Sequence, residues 1–93
     1  MFYHLYEIIN ERKSNPQPDS YTNELLNLGQ DRLLQKVGEE CVEFIIAAAN
    51  QGDKRLIEEY ADFLYHSFVL LASRDITLAE VEDELKRRHR GKE

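Results

Sequence analysis

Apolar residues recur at helical spacing along most of the chain. Phe2, Leu5, Tyr6 and Ile9 follow one another at intervals of three, one and three residues, which places them on one face of a helix over residues 2–13. No segment shows sustained alternation of apolar and polar residues, the pattern typical of a half-buried strand. We therefore predict an all-α fold in a single domain that spans residues 1–93.

Loop and cap residues divide the rest of the chain into four further helices. Pro16 and Pro18 mark a loop after the first helix. Gly52 is expected to close the third helix and Asp53 to cap the fourth, while the segment 77–80 has the residue types of a capping box for the fifth. The predicted ranges are about 20–29, 31–50, 53–73 and 77–90.

The predicted fourth helix is apolar around most of its circumference. One stripe contains Ile57, Ala61, Leu64, Phe68 and Leu71, and further apolar residues lie on neighbouring arcs. Such a helix needs cover on several sides, and a chain of 93 residues buries too little surface to provide all of it. We therefore expect a homodimer in which a helix of the second subunit covers this one.

Two pairs of acidic residues lie on the third and fourth helices. Glu40 and Glu43 share a face of one helix, and Glu59 and Asp62 share a face of the other. In an antiparallel hairpin that turns at about residue 52, the two pairs lie at the same depth and can face each other. Like charges at these spacings repel, so helix stability does not explain them.

Two explanations of these carboxylates stay open at this point. Each pair alone fits a solvated acidic helix face, whereas both pairs at one depth also fit a metal site. Oxygen ligands favour Mg²⁺, with Mn²⁺ as a substitute, and Mg²⁺ commonly shares its coordination with substrate phosphates. A di-iron site is less compatible, because His66 follows Asp62 by four residues rather than three and has no counterpart on the other helix.

The charge distribution allows the same two explanations. The net charge of −6 argues against a general nucleic-acid-binding protein. Seven acids and two bases lie between Glu39 and Asp62, whereas five bases and no acid lie between Lys86 and Lys92. This arrangement suits a metal–polyphosphate ligand, but a basic helix end is also favoured by the helix dipole alone.

A single cysteine and the lack of a long apolar segment predict a cytoplasmic protein without a membrane span.

Several short motifs in this order resemble the phosphoribosyl-ATP pyrophosphohydrolase family, which belongs to the all-α, MazG-like nucleotide pyrophosphohydrolases. The resemblance extends from about residue 20 to residue 89. The paired acidic motifs are common to the whole superfamily, while the other motifs are more specific to this family. The matching segments are Ser20-Tyr21-Thr22, Lys36-Val37-Gly38-Glu39-Glu40, Ala61-Asp62, Tyr65-His66 and Arg88-His89.

The resemblance implies Mg²⁺-dependent hydrolysis of phosphoribosyl-ATP between its α and β phosphates, the second step of histidine biosynthesis. Phosphoribosyl-AMP and pyrophosphate are the implied products, and the family is dimeric. The resemblance implies three groups of site residues. The implied metal ligands are Glu40, Glu43, Glu59 and Asp62. The implied catalytic residues are Glu39 and Glu40, with Glu39 as a further ligand or as the group that orients water, and the implied substrate-binding residues are Lys36, Tyr21, Thr22, His66, Arg88 and His89.

Two other functions remain as alternatives. A house-cleaning nucleoside triphosphate pyrophosphohydrolase of the MazG type would use the same carboxylates on a different substrate. A non-enzymatic dimeric helical module would instead use its basic end to bind an acidic or nucleic-acid partner. Tyr60 and Phe63 are larger than the residues common at these positions of the family, a departure that concerns local packing rather than chemistry.

Overall fold

The computed structural model describes residues 1–90, and these form five helices without a strand. The all-α prediction is therefore confirmed for the described residues. None of the helices in this part of the chain is both long and apolar enough to cross a membrane. Lys92, part of the predicted basic end, lies outside the described residues. The helices are α1 (Phe2–Ser14), α2 (Tyr21–Leu26), α3 (Gln30–Asn50), α4 (Gly52–Ser73) and α5 (Leu78–His89).

Helices α3 and α4 form a long hairpin, the main scaffold of the fold. Only Gln51 separates the two helices, and Gly52 begins α4 with φ of +83°. Glycine adopts this backbone conformation without steric cost, which allows the chain to reverse within so short a link. The prediction that Gly52 closes α3 is confirmed, because it follows the C-cap residue Gln51 with a positive φ. The prediction that Asp53 caps α4 was wrong: Gln51 occupies the N-cap position, and Asp53 lies inside the first turn of α4. There its charge still complements the helix dipole.

The predicted capping box of α5 is observed, and α2 also begins with a side-chain cap. The Ser20 side chain accepts a hydrogen bond from the backbone N–H of Asn23. Thr77 and Glu80 form a complete capping box, in which each side chain accepts a hydrogen bond from the backbone N–H of the other residue. These contacts satisfy donors that the first turn of a helix leaves free. The beginnings of both helices are thus encoded locally in the sequence.

The hydrophobic core lies where α1 and α2 pack on the C-terminal half of α4. The ring of Tyr6 meets that of Phe68 edge-on, with centroids 5.8 Å apart, and the Tyr6 hydroxyl donates a hydrogen bond to the backbone carbonyl of Ile76. Lys13 donates to the carbonyl of Ala72 at 2.8 Å and also pairs with Asp75. These contacts attach α1 to the end of α4. The buried core residues are Tyr6, Ile9, Leu25, Leu33, Phe68, Val69, Ala72 and Leu78.

The N-terminal half of α4 keeps much of its apolar surface exposed. Ile57 is 69% exposed and Tyr60 is 47% exposed, although the sequence pattern predicts cover for this helix. A shallow groove of about 500 Å³ runs beside them. Within one chain the core therefore reaches only the C-terminal half of α4. The groove is lined by Phe2, Phe44, Leu56, Ile57, Tyr60, Ala61 and Leu64.

Candidate functional site

Three carboxylates meet between α3 and α4. Glu40, Glu43 and Glu59 each place an oxygen within 4.8 Å of the other two. Because the helices are antiparallel neighbours, the face that carries Glu40 and Glu43 is directed at the face that carries Glu59. The structure thus brings together three of the four residues that the sequence pairs across the hairpin.

The site combines buried and exposed carboxylates. Glu40 is 7% exposed and Glu59 is 8% exposed, whereas Glu43 lies at the solvent edge. The neighbouring Glu40 carboxylate raises the pKa of the Glu43 carboxyl, because it favours a protonated Glu43 that can donate a hydrogen bond and repels the ionised form. The Glu40 Oε2 atom is buried and has no hydrogen-bond partner among the described residues. Since ionised carboxylates cannot donate to each other, an oxygen in this position calls for a cation or a bound donor.

Two side-chain cations contact the carboxylates from within their own helices. Lys36 lies on α3 with its Nζ 3.4 Å from Glu40 Oε1. On α4, Arg55 pairs with Glu59 and places Nη1 2.5 Å from Glu58 Oε1. Lys36 is one of the substrate-binding residues that the resemblance implies, whereas the resemblance implies no role for Arg55. The spacing of four residues between Arg55 and Glu59 is the signal in the sequence for that contact.

Asp62 is not part of the three-carboxylate cluster. It follows Glu59 by three residues on α4, and its side chain is exposed to solvent. Its backbone carbonyl accepts a hydrogen bond from Nδ1 of His66 at 2.7 Å. Glu39 is also exposed, and its carboxylate accepts a hydrogen bond from Gln35 Nε2 at 3.2 Å.

Helix α2 packs over the middle of α4 through a small polar and aromatic contact. A carbonyl can only accept, so Nδ1 of His66 carries the proton that is donated to Asp62. In the neutral ring Nε2 then accepts a hydrogen bond from the Tyr21 hydroxyl, 3.1 Å away. Next to this pair, the Thr22 hydroxyl forms a hydrogen bond with the Tyr65 hydroxyl. The 5% exposed fraction of His66 leaves little of its ring for a ligand, whereas Tyr21 is 47% exposed.

Tyr21 connects this contact to the carboxylate cluster. Burial is the largest cause of the raised pKa of the Tyr21 hydroxyl. The positive charge of Lys36 lowers this pKa, and the negative charge of Glu40 raises it further. The Tyr21 hydroxyl is therefore within electrostatic reach of Lys36 and Glu40, while the observed contacts of Tyr21 are with His66 and Tyr65. The tyrosine face and the lysine together offer stacking surface and positive charge to an anionic aromatic ligand.

Two of the predicted substrate residues lie on α5, apart from the cluster. Arg88 pairs with Glu84 on its own helix, with its Nε 2.8 Å from the Glu84 carboxylate, and His89 is the last residue of α5. Within residues 1–90, neither Arg88 nor His89 forms a hydrogen bond or ion pair with the carboxylate cluster. Within the described residues, the acidic cluster and the basic end of α5 are thus not joined by a polar contact.

Comparison with known proteins gives a consistent match over nearly the whole chain. Residues 2–89 match the family described as phosphoribosyl-ATP pyrophosphohydrolase. Proteins named phosphoribosyl-ATP pyrophosphatase from Bacillus cereus (strain AH820), Bacillus anthracis and Bacillus thuringiensis (strain Al Hakam) are each 49% identical over 85 residues. Those alignments cover 91% of this chain and 79% of each relative.

Proposed function

The chain belongs to the phosphoribosyl-ATP pyrophosphohydrolase family, and from this premise we propose that it hydrolyses phosphoribosyl-ATP to phosphoribosyl-AMP and pyrophosphate. It is a hydrolase, and the reaction is a step of histidine biosynthesis. One water is consumed, and the anhydride bond between the α and β phosphates is broken. The family match over residues 2–89 carries this conclusion. A cytoplasmic location is part of the proposal, since histidine biosynthesis uses soluble intermediates.

The proposal includes a divalent metal ion, Mg²⁺ or Mn²⁺ as its substitute. The residues present fit such an ion, because the buried Glu40 Oε2 atom has no hydrogen-bond partner within residues 1–90 and the donors are all carboxylate oxygens. Glu40, Glu43 and Glu59 would hold it, with Asp62 as the fourth ligand. When bound, the ion supplies positive charge to the phosphate oxygens as the anhydride breaks.

Other side chains of the site bind the substrate and direct the water. Glu39, exposed next to the cluster, orients the attacking water or serves as a further ligand, while Glu40 combines a ligand role with catalysis. Lys36 supplies a charge to the phosphates, and Tyr21 contacts the substrate with support from Thr22 and His66. Arg88 and His89 complete the phosphate contacts in this proposal, from α5.

A comparison of substrates tests the proposed activity. We expect purified protein with Mg²⁺ to release pyrophosphate from phosphoribosyl-ATP with a kcat/KM at least about 100-fold higher than from dATP, because the phosphoribosyl group adds binding contacts that dATP lacks. Pyrophosphate and the nucleotide product are quantified together. Rapid release from dATP with none from phosphoribosyl-ATP would instead identify a house-cleaning nucleoside triphosphate pyrophosphohydrolase.

The protein is proposed to act as a homodimer joined through the apolar groove on α4. The exposed side chains of Ile57 and Tyr60 and the neighbouring Phe44 ring support this arrangement, since a soluble monomer rarely leaves so continuous an apolar surface in contact with water. Two copies of one groove can pair about a twofold axis. The second subunit could then bring its basic α5 towards the carboxylates.

Ile57→Lys is expected to convert the dimer to a monomer. A lysine at this position puts a charge in the centre of the groove, which must be desolvated when two copies meet. Light scattering after gel filtration measures the mass of each variant. Ile8→Lys on α1, an exposed isoleucine outside the groove, is the matched control and should remain dimeric. A wild-type monomer at micromolar concentration would contradict the dimer.

A further inference from the structure

Arg55 occupies a position on α4 that local helix energetics disfavour. It lies in the first turn of α4, where the partial positive charge of the helix end repels a cation. An arginine four residues before a glutamate is also the weaker order for an ion pair within a helix. The contact of Arg55 with Glu59 is therefore not explained by helix stability alone.

The surroundings of Arg55 connect it to the proposed metal site. Its side chain is half exposed, and it lines one cavity of about 200 Å³ together with Glu43 and Glu59. One arm of the guanidinium pairs with Glu59, which is itself a candidate metal ligand. The other arm contacts Glu58 at a distance of 2.5 Å.

We propose that Arg55 is an internal cation that competes with the metal ion for Glu59 and thereby sets the affinity of the site. A divalent ion on Glu59 repels the guanidinium and competes for the same carboxylate, so metal binding must loosen the Arg55–Glu59 pair. Glu58 retains the arginine at the edge of the cavity after that release. This inference rests on the proposed metal-dependent function and concerns a residue outside the predicted ligand set.

Each of the two buried carboxylates of the cluster is in contact with one positively charged side chain. Lys36 contacts Glu40 from α3, and Arg55 contacts Glu59 from α4, so each buried carboxylate has one cation of its own. Lys36 Nζ lies 3.4 Å from Glu40 Oε1, whereas Arg55 donates a hydrogen bond directly to Oε1 of Glu59. Of the two cations, Arg55 is therefore the one that must give way.

Titration calorimetry with Mn²⁺ alone tests this inference. We expect Arg55→Ala to bind Mn²⁺ about fivefold more tightly than wild type, which corresponds to the roughly 1 kcal/mol of a half-exposed ion pair. Arg55→Gln, which keeps the length and loses the charge, should tighten binding similarly. Circular dichroism checks that the helices are intact in each variant.

Two controls separate competition from general charge effects. Lys54→Ala removes an exposed cation next to Arg55 in the sequence, and it should change the affinity by less than about twofold, because screening weakens exposed charges. Arg87→Ala, whose ion pair is with Glu84 on α5, should leave the affinity unchanged. Equal tightening in Lys54→Ala and Arg55→Ala would overturn the inference, as would unchanged or weaker binding in Arg55→Ala.

The same titrations distinguish this inference from the proposed function. Glu59→Gln should weaken Mn²⁺ binding in both the wild-type and the Arg55→Ala background, because it removes a ligand. If neither wild type nor Arg55→Ala binds Mn²⁺, the metal site itself is refuted, and the inference with it. If wild type binds and Arg55→Ala shows the same affinity, only the role of Arg55 is refuted.

Discussion

Glu40→Gln is expected to lower kcat/KM for phosphoribosyl-ATP by about 10³-fold. Glu40 is the most buried carboxylate of the cluster, and its unpartnered Oε2 atom is available to a metal ion. An amide offers one neutral oxygen in place of two charged ones, so the ion loses charge stabilisation of several kcal/mol. Each 1.4 kcal/mol of lost transition-state stabilisation lowers the rate roughly tenfold. Steady-state pyrophosphate release at saturating Mg²⁺ measures the effect.

The fold should survive this substitution in metal-free buffer. Replacement of Glu40 removes its repulsion from Glu43, and the amide can donate a hydrogen bond to that carboxylate. The lost pair with Lys36 is a weak contact by comparison. Glu7→Gln, an exposed glutamate on α1, is the control and should keep wild-type activity. Wild-type kcat/KM in Glu40→Gln would remove Glu40 from the catalytic site.

Ile9→Ala should lower the free energy of unfolding by about 3–4 kcal/mol. Ile9 is 0% exposed and lies in the core where α1 packs on α4. Truncation removes buried methyl groups and leaves a cavity that the surrounding helices fill only in part. For so small a domain, this loss is a large fraction of a typical stability of 5–15 kcal/mol. Urea unfolding followed by circular dichroism at fixed protein concentration gives the value.

Ile8→Ala is the matched control on the same helix. Ile8 precedes Ile9 but is 40% exposed, so its substitution should cost less than about 1 kcal/mol. The pair compares one chemical change at two burial levels. Equal losses in the two variants would contradict the observed orientation of α1 on the core.

The positions of the helices were largely predictable, because they depend on local features. The spacing from Leu5 to Ile9 indicates the buried face of α1, and Thr77 with Glu80 specifies the start of α5. Gly52 likewise marks the end of α3, whereas the start of α4 was not predicted correctly. Asp53 has the residue type of a cap, but α4 already begins at Gly52, so Asp53 falls within the first turn of the helix.

The candidate site was predictable in part. Glu40, Glu43 and Glu59 lie at similar distances along the chain from the turn, and antiparallel helices place residues at similar distances side by side. The exposed position of Asp62 depends on how α4 is rotated about its axis, which a helical period does not fix. The packing of Tyr21 against His66 depends on where α2 docks, and this too is a tertiary property.

Turnover of phosphoribosyl-ATP by metal-stripped protein, with and without added Mg²⁺, tests the central claim most directly. The three facing carboxylates and the unpartnered Glu40 oxygen predict no measurable pyrophosphate release in the presence of a chelator. Addition of Mg²⁺ should restore release of one pyrophosphate for each phosphoribosyl-AMP formed. Full turnover in the chelator, or no turnover of phosphoribosyl-ATP with Mg²⁺ present, would contradict a metal-dependent phosphoribosyl-ATP pyrophosphohydrolase.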